Sequence, residues 1–191
     1  MLKRLGVPAR ITADPADLLQ AERIILCGVG AFDDGMQKLH NLGMADALRE
    51  VVLHQSKPVL GVCLGMQLMT EGSEEGKKPG LGFVKGYCRR FDFSGDPGGE
   101  HLKVPHMGWN EVRECKQSRL MEGMFHDSRF YFVHSYCVNL SDPADELLTA
   151  RYGHPFTAAF EKGNIVGVQF HPEKSHKYGL KLYGNYVKNY G

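Results

Sequence analysis

The sequence has few cysteines and no pattern that would pair them. Among 191 residues there are five cysteines, an odd number, widely spaced and without a Cys-x-x-Cys motif. This pattern argues against a disulfide framework and against a structural zinc site. We therefore expect a protein of a reducing compartment, with the cytoplasm as its location.

The sequence also lacks an excess of charge of one sign and a long apolar run. Its 23 basic and 22 acidic residues give a formal net charge of +1, which predicts neither a nucleic-acid nor a membrane partner. No signal-peptide pattern is present, and no apolar run approaches the ~20 residues that a membrane span needs. With 42% hydrophobic and 24% charged residues, the composition predicts a single globular domain over residues 1–191.

A cysteine flanked by glycines stands where a predicted strand turns into a predicted helix. Residues 57–62 form a short apolar run, and residues 64–71 have helical composition. A turn this sharp strains its apex, and glycines on both sides of Cys63 remove side chains that would clash there, as in the serine nucleophile elbow. The helix start favours a thiolate, and the N–H of Leu64 is suited to hold an oxyanion. Since most free cysteines are simply buried apolar residues, the motif alone leaves both interpretations open.

An imidazole and a carboxylate follow another predicted strand. Residues 163–170 predict a turn and then a buried strand, and His171 and Glu173 share a face because side chains of an extended chain repeat every two residues. Pro172 holds His171 in the extended region, so the carboxylate can set the tautomer of the imidazole and stabilise its charged form. Together with Cys63, these residues would supply a nucleophile, a base and its orienter. The alternative is a solvated loop at a strand end.

The two motifs, residues 61–67 and 168–175, resemble those of the triad (class I) glutamine amidotransferases. Within that family the sequence is similar to the glutaminase subunits of imidazole glycerol phosphate synthase, and the resemblance extends from about Leu5 to the C-terminus. Four further segments carry it: 28–32, 72–75, 105–110 and 132–136.

Predicted strands and helices alternate along the chain, which predicts βαβ units. The predicted elements are a strand at 7–12, a helix opened by Asp14 and Pro15, a strand at 23–27, a helix within 33–53, the strand and helix around Cys63, a β-rich region at 80–136 with a loop at 94–100, and a final helix near 179–188. The resemblance implies a flavodoxin-like α/β fold with an open, mostly parallel sheet flanked by helices. Nucleophile and base would then lie at the carboxyl ends of strands, where such sheets bind ligands.

Residues 1–6 predict the last turn of a helix and its C-terminal glycine. In the resembled family a strand and a glycine-rich turn precede that helix, so we expect an N-terminally incomplete domain that lacks the family's first strand. Loss of a strand inside the sheet would leave unpaired backbone on its neighbours. A misassigned start, a fragment and a genuine variant with less stability or no activity remain open.

The resemblance implies roles for the three chemical groups. Cys63 would attack the side-chain amide of glutamine, His171 would act as general base and then acid, and Glu173 would orient it. Attack would release ammonia and leave a γ-glutamyl thioester for water to cleave. No metal and no other cofactor is implied.

The resemblance also implies a substrate pocket and a partner surface. The oxyanion strand would be formed by the backbone of Gly28, Val29 and Gly30 together with the N–H of Leu64. The grip on the α-amino and α-carboxylate ends of glutamine would come from Gln67 and Glu75, with Ser135 and Tyr136 lining the pocket. The positions facing a synthase partner would be His106, Met107, Trp109 and Lys174. Cys27 stands where the family usually has proline before the glycine turn, which leaves the geometry of the oxyanion strand open.

The implied partner is a (β/α)₈-barrel cyclase that forms a heterodimer with this chain and receives its ammonia. Three alternatives remain. A related branch supplies ammonia to a surface-polysaccharide sugar, and residues 176–179 resemble that branch. The others are a different cysteine hydrolase on a similar sheet and an inactive interaction subunit.

Overall fold

The computed structural model describes residues 1–191, which form eleven strands and five α-helices. The strands are β1 (Ile24–Gly28), β2 (Val59–Cys63), β3 (Gly72–Ser73), β4 (Gly86–Arg90), β5 (His106–Glu111), β6 (Arg113–Glu114), β7 (Arg129–His134), β8 (Tyr136–Leu140), β9 (Glu146–Tyr152), β10 (His154–Lys162) and β11 (Ile165–Val168). The α-helices are α1 (Pro15–Gln20), α2 (Phe32–Asn41), α3 (Met44–Arg49), α4 (Leu64–Leu68) and α5 (His176–Asn189). Short 3₁₀ turns cover Leu2–Leu5, Gly99–His101, Arg119–Met121, Pro143–Asp145 and Pro172–Lys174, and a π-helical turn covers Glu50–His54.

The main sheet has nine strands, and its principal path runs β1-β2-β11-β10-β8-β4-β3, while β9 pairs with β10 and β6. Pairing is parallel for β1–β2, β2–β11 and β3–β4, and antiparallel elsewhere. Strands β5 and β7 form a separate antiparallel pair. The expected α/β fold is present, but the sheet is mixed rather than mostly parallel. One reason is the two-residue connection between β10 and β11, with Gly163 at φ 60°, since so short a loop can only join antiparallel strands.

Strand β2 lies in the centre of the core and is buried along its whole length. Leu60 and Val62 pack into one apolar cluster with the face of α5, and Val59 packs into a second cluster with α2, α3 and α4. Burial on both faces explains why this strand appears in the sequence as a continuous apolar run.

Two local predictions are confirmed, one for the cap of α1 and one for the turn that ends at Gly6. The side chain of Asp14 caps α1 by accepting a hydrogen bond from the N–H of Ala16 (2.9 Å). The turn Leu2–Leu5 ends at Gly6, whose φ of 70° is left-handed. No helix of the structure combines the length and the apolar character that crossing a membrane requires.

Other local predictions are wrong or need new boundaries. Residues 7–12 form no strand, because no neighbouring strand pairs with them. The helix expected within 33–53 is broken at Gly43, which has a φ of 67° and precedes α3. Helix α4 ends at Leu68, and α5 begins at His176, three residues before the expected start.

Candidate active site

Cys63 occupies a strained turn between β2 and α4. Its φ of 53° and ψ of −112° are unusual for a residue with a side chain, and such strain costs about 1–3 kcal/mol. A Cβ at Gly65 would overlap the carbonyl oxygen of Leu26, and one at Gly61 would approach the Gly65 carbonyl to 2.8 Å. The predicted sharp turn and its need for flanking glycines are therefore confirmed.

His171 lies just beyond the end of β11, in a rigid backbone setting. Its N–H donates to the carbonyl of Tyr131 (2.8 Å), and its own carbonyl accepts from the hydroxyl of Ser175 (2.6 Å). Its side chain is only 3% exposed, and Nδ1 lies 2.6 Å from Oε1 of Glu173. Since a carboxylate oxygen accepts, Nδ1 carries a proton. The other ring nitrogen, Nε2, is buried and has no hydrogen-bond partner.

The surroundings of His171 favour its charged form. The Cys63 thiol beside the ring and the bond to Glu173 raise the pKa of His171 to about 9, against the opposing effect of burial. For Glu173, burial raises the pKa of the carboxyl. The hydrogen bond from His171 and further contacts outweigh burial and hold this pKa below its usual value. The structure thus brings Cys63, His171 and Glu173 together. Nε2, the ring nitrogen that gains and loses the proton, lies on the side of the ring away from the carboxylate.

The glycine turn after β1 lies directly beside Cys63. In the parallel pairing of β1 and β2, Gly28 is the register partner of Cys63. The chain then passes through Val29, which is 80% exposed, and Gly30, whose φ of 105° suits glycine. The first N–H of α2, from Phe32, donates to Oε2 of Glu75 (2.8 Å). Glu75 is therefore tied to the segment that follows the expected oxyanion strand.

Gln67 is buried beside Tyr136 and Gln169. Its Nε2 donates to the carbonyl of Tyr136 (3.0 Å) and to Oε1 of Gln169 (3.0 Å). Neighbouring Ser135 accepts a backbone bond from Phe91 (3.0 Å). Both amide protons of Gln67 are thus engaged within the protein, and its Oε1 is the atom left to accept a hydrogen bond from a ligand.

The profile of the family "Glutamine amidotransferase class-I" matches residues 6–185. The chain belongs to this family. It is 49% identical over 188 residues to imidazole glycerol phosphate synthase subunit HisH 2 of Pseudomonas aeruginosa, covering 98% of this chain and 91% of that protein. It is 44% identical over 186 residues to the HisH subunit of Bdellovibrio bacteriovorus, covering 97% and 90%.

Solved structures agree with the fold. A crystal structure of a glutamine amidotransferase matches with a TM-score of 0.66 at 21% identity, covering 96% of this chain and 90% of that chain. The glutaminase domain of Trypanosoma brucei CTPS matches with a TM-score of 0.64 at 20% identity, covering 100% and 85%. The predictions of the family, the fold and a glutamine amidotransferase enzyme are confirmed.

Three of the four expected partner positions of this amidotransferase lie at the surface. Met107 is 61% exposed and Trp109 is 44% exposed. Lys174 is exposed, and its ammonium group lies 5.6 Å from the centre of the Tyr131 ring. Trp109 stacks on His176 at 5.6 Å with the ring planes 7° apart. Of these residues, Lys174 lies in the same turn as Glu173, Pro172–Lys174.

His106 is the exception, because it is a core residue. Side chains alternate along β5, so His106 points inward while Met107 and Trp109 point outward. It is 3% exposed, stacks on Tyr152 at 4.2 Å and hydrogen-bonds through Nδ1 to Nε2 of His134 (3.1 Å). The expectation that this side chain faces a partner is therefore corrected.

Two residues near the triad were not predicted. Gln169 is fully buried, with its Nε2 3.9 Å from Sγ of Cys63, and His134 is 6% exposed and hydrogen-bonded to the carbonyl of Tyr136 (2.8 Å). A signal for Gln169 was available, since the two-residue repeat that pairs His171 with Glu173 also includes position 169. For His134 there was none, because its ring partner His106 comes from a strand that is distant in sequence.

Proposed function

We propose that this chain is the glutaminase subunit of an imidazole glycerol phosphate synthase and hydrolyses L-glutamine through Cys63, His171 and Glu173. The observation that carries the proposal is the thiol at a strained strand-to-helix apex beside a buried imidazole, whose far nitrogen is bonded to a carboxylate at 2.6 Å. Relatives named as this synthase's HisH subunit, at 41–49% identity over nearly the whole chain, support the same conclusion.

The charge state of His171 fits the first half of the reaction. With a pKa of about 9, the ring is protonated near neutral pH and holds a proton for the leaving group. The sulfur of Cys63 attacks the amide carbon of glutamine as a thiolate, and the carbonyl oxygen becomes an oxyanion. His171 then gives its proton to the departing nitrogen, the C–N bond breaks, and ammonia and a γ-glutamyl thioester form.

The second half returns the enzyme to its starting state. Neutral His171 takes a proton from water, and the resulting hydroxide attacks the thioester carbon. The C–S bond then breaks to release glutamate and the thiolate. Glu173 stabilises the charged ring at both stages through Nδ1, as orienting carboxylates do in related triads.

Backbone groups are suited to stabilise the oxyanion. The N–H of Leu64 follows the nucleophile directly, and the segment Gly28–Gly30 lies beside it through the register of β1 and β2. At the other end of glutamine, Oε1 of Gln67 and the carboxylate of Glu75 are both acceptors, so together they suit the α-ammonium group. The neighbouring segment, Ser135 and Tyr136, is the candidate for the α-carboxylate end.

A partner protein is proposed for the surface that borders the triad. Met107 and Trp109 present apolar area next to the cation of Lys174, which suits a partner with an apolar patch and a carboxylate. We propose a (β/α)₈-barrel cyclase that forms a heterodimer with this chain, accepts its ammonia and activates the glutaminase. We also propose that the reaction takes place in the cytoplasm, where a reducing environment keeps Cys63 free.

The test is glutamate release by the chain alone and after addition of the cyclase. We expect low activity alone and a marked increase in the complex. Cys63→Ala should abolish both activities. Cys115→Ala, at an exposed cysteine, is the matched control and should behave like the parent. Full activity alone with no gain on adding the cyclase would contradict the proposal.

Complementation separates the two possible ammonia acceptors. A bacterial strain that lacks its own glutaminase subunit of histidine biosynthesis should grow without histidine when it carries the gene for this chain and the gene for the chain's cyclase partner. The Cys63→Ala gene should not support growth. If the gene and its cyclase do not restore growth although glutaminase activity is present, the sugar-modifying alternative is favoured.

A further inference from the structure

Gln169 lies next to the proposed nucleophile and takes no part in the reaction steps above. It follows β11, which pairs in parallel with β2 so that Val168 is opposite Val62, and Gln169 therefore lies at the level of Cys63. Its backbone N–H donates to Ala158 (2.9 Å), and its side chain is fully buried. The 3.9 Å between its Nε2 and Sγ of Cys63 is long, but catalytic contacts in ligand-free enzymes often tighten when substrate binds.

The direction of this contact is fixed by the neighbouring bonds. The carbonyl of Tyr136 can only accept, so the amide of Gln67 must present its nitrogen there. The same nitrogen donates to Oε1 of Gln169, which leaves Nε2 of Gln169 facing the sulfur. Reversing the amide of Gln67 would place two acceptors against each other, and reversing that of Gln169 would place two donors against each other. The N–H group aimed at Cys63 is therefore determined by the network.

The hydrogen bonds continue from Tyr136 to β5. The carbonyl of Tyr136 also accepts from Nδ1 of His134 (2.8 Å), so Nε2 of His134 is an acceptor and receives the Nδ1 proton of His106 (3.1 Å). Nε2 of His106 then accepts from Asn110 (3.3 Å). This order requires both rings to be neutral, and burial ensures it by lowering the pKa of His106 to about 4 and of His134 to about 3.

We propose that Gln169 is a positioning residue that donates a hydrogen bond to the Cys63 thiolate, and that the chain Gln67–Tyr136–His134–His106 couples this donor to β5. The inference rests on the proposed function, because it assigns Cys63 as the nucleophile. It gives the proposed partner surface a physical connection to the thiol. Met107 and Trp109 lie on the outer face of β5, and His106 and Asn110 on its inner face, so a displacement of this strand shifts the hydrogen-bonded chain.

Alkylation of Cys63 by iodoacetamide tests the first half without glutamine or a partner. The rate is followed against pH by mass spectrometry of the peptide that contains Cys63. Gln169→Met, which has similar size and no N–H, should slow alkylation near pH 7 by about tenfold. Gln169→Glu still accepts from Gln67 but replaces the donor by an anion, and should raise the pH of half-maximal alkylation by about one pH unit or more.

Two other cysteines serve as controls in the same sample. Exposed Cys115 should react at an unchanged rate. Cys88 is fully buried and should stay unmodified unless a variant opens the core. If Gln169→Glu exposes Cys88, the result of the less disruptive Gln169→Met is used to judge the role of Gln169. An unchanged pH profile for Cys63 in Gln169→Met, with Cys88 still protected, would overturn the role of Gln169. Since the readout is chemical, it is independent of whether the complex hydrolyses glutamine.

The coupling to β5 is tested by His106→Phe. Phenylalanine keeps the stacking against Tyr152 and removes both ring hydrogen bonds, so alkylation of Cys63 should slow by about threefold. Glu111→Gln, an exposed change on the same strand, should have no effect. A parent-like profile for His106→Phe together with an altered one for Gln169→Met would overturn the coupling and leave the positioning role standing.

Discussion

His171 and the His106–His134 pair are equally buried, at 3%, 3% and 6% exposure, yet their acid–base properties are opposite. The pKa of His171 is raised to about 9, whereas those of His106 and His134 are lowered to about 4 and about 3. Burial lowers the pKa in all three cases. The difference comes from the partners, since His171 faces a thiol and a carboxylate, while the pair faces a carbonyl, an amide and each other.

This contrast shows that burial alone does not determine the protonation state of a histidine. A neutral carbonyl fixes the tautomer of His134 but cannot compensate for the loss of solvation of a charged ring. An anionic partner can, as Glu173 does. One site therefore stores a proton for transfer, and the other remains neutral and keeps a fixed direction of hydrogen bonding.

The largest expected effect comes from removing the ring that stores the proton. His171→Asn should reduce kcat for glutamine hydrolysis in the complex by about 10³-fold or more, because no other group in the site is placed to protonate the leaving nitrogen. His154→Asn is the matched control, since His154 also bonds a carboxylate, that of Asp96 (2.7 Å), outside the site. A residual rate within tenfold of the parent in His171→Asn would contradict the proposed base.

The next effect concerns stability and the neutral pair. Because their folded pKa values lie below the ordinary 6.5, His106 and His134 contribute stability that is present above pH 6.5 and is lost as the pH falls toward 4. Each should remove about 2 kcal/mol from the free energy of unfolding between pH 6.5 and about pH 5. The nearby positive charge of His171 adds to the loss at His134.

Urea unfolding at these two pH values measures the loss. His106→Phe should reduce it by about half, because one of the two titrating rings is gone. His40→Phe, at an exposed position of α2, should leave it unchanged. An equal loss in His106→Phe and in the parent would show that His106 does not titrate as a buried neutral group.

A smaller effect is expected from the carboxylate that distinguishes the two sites. Glu173→Gln keeps a side chain of the same shape and should reduce kcat by about 10-fold, because the charged ring loses its stabilising partner.

The raised pKa of His171 gives stability that is present below pH 6.5 and is lost as the pH rises through about 9. The variant should therefore lose less stability between these pH values, as measured by urea unfolding. Glu100→Gln, beside exposed His101, is the control, and an unchanged pH dependence in Glu173→Gln would count against this origin of the raised pKa.

The sequence predicts the elements whose pattern is local. The glycines around Cys63 and the two-residue spacing of His171 and Glu173 carry their own geometry, and the apolar run of β2 follows from burial on both faces. The sequence predicted a mostly parallel sheet and missed the antiparallel pairings, because parallel and antiparallel strands share the same side-chain period. Residues 7–12 have strand-like composition, but a strand also needs a neighbour to pair with, and the local sequence carries no information about that neighbour.

The inward position of His106 follows from the two-residue repeat of β5 once Met107 and Trp109 face a partner, but the apolar pattern of this strand by itself predicts the reverse. Met107 and Trp109 are the apolar residues of this strand and would be expected inside, yet they lie at the surface and the polar His106 and Asn110 lie beneath. Such an inversion suits a strand whose outer face meets a partner. The hydrogen-bonded order of the histidine pair starts at the carbonyl of Tyr136 and passes through His134 to His106 on another strand, so it is visible only in the fold.

The smallest expected effect comes from making the neutral pair resemble the triad. Asn110→Asp replaces the amide that donates to Nε2 of His106 by a carboxylate that favours a protonated ring. The pKa of His106 should rise from about 4 toward its ordinary 6.5. The stability lost between pH 6.5 and about pH 5 should then shrink by about 1 kcal/mol.

Asn110→Ala is the control that separates charge from the loss of a hydrogen bond. Both variants lose the bond from Asn110 to the carbonyl of Arg151 (2.8 Å), so both should be less stable at every pH, but only Asn110→Asp should flatten the pH dependence. NMR titration of the His106 ring measures the pKa shift directly. If the ring of His106 stays neutral in Asn110→Asp down to pH 5, burial outweighs a neighbouring carboxylate in this part of the core. A carboxylate alone would then not explain the raised pKa of His171, and the Cys63 thiol, which has no counterpart beside His106, would be its main cause.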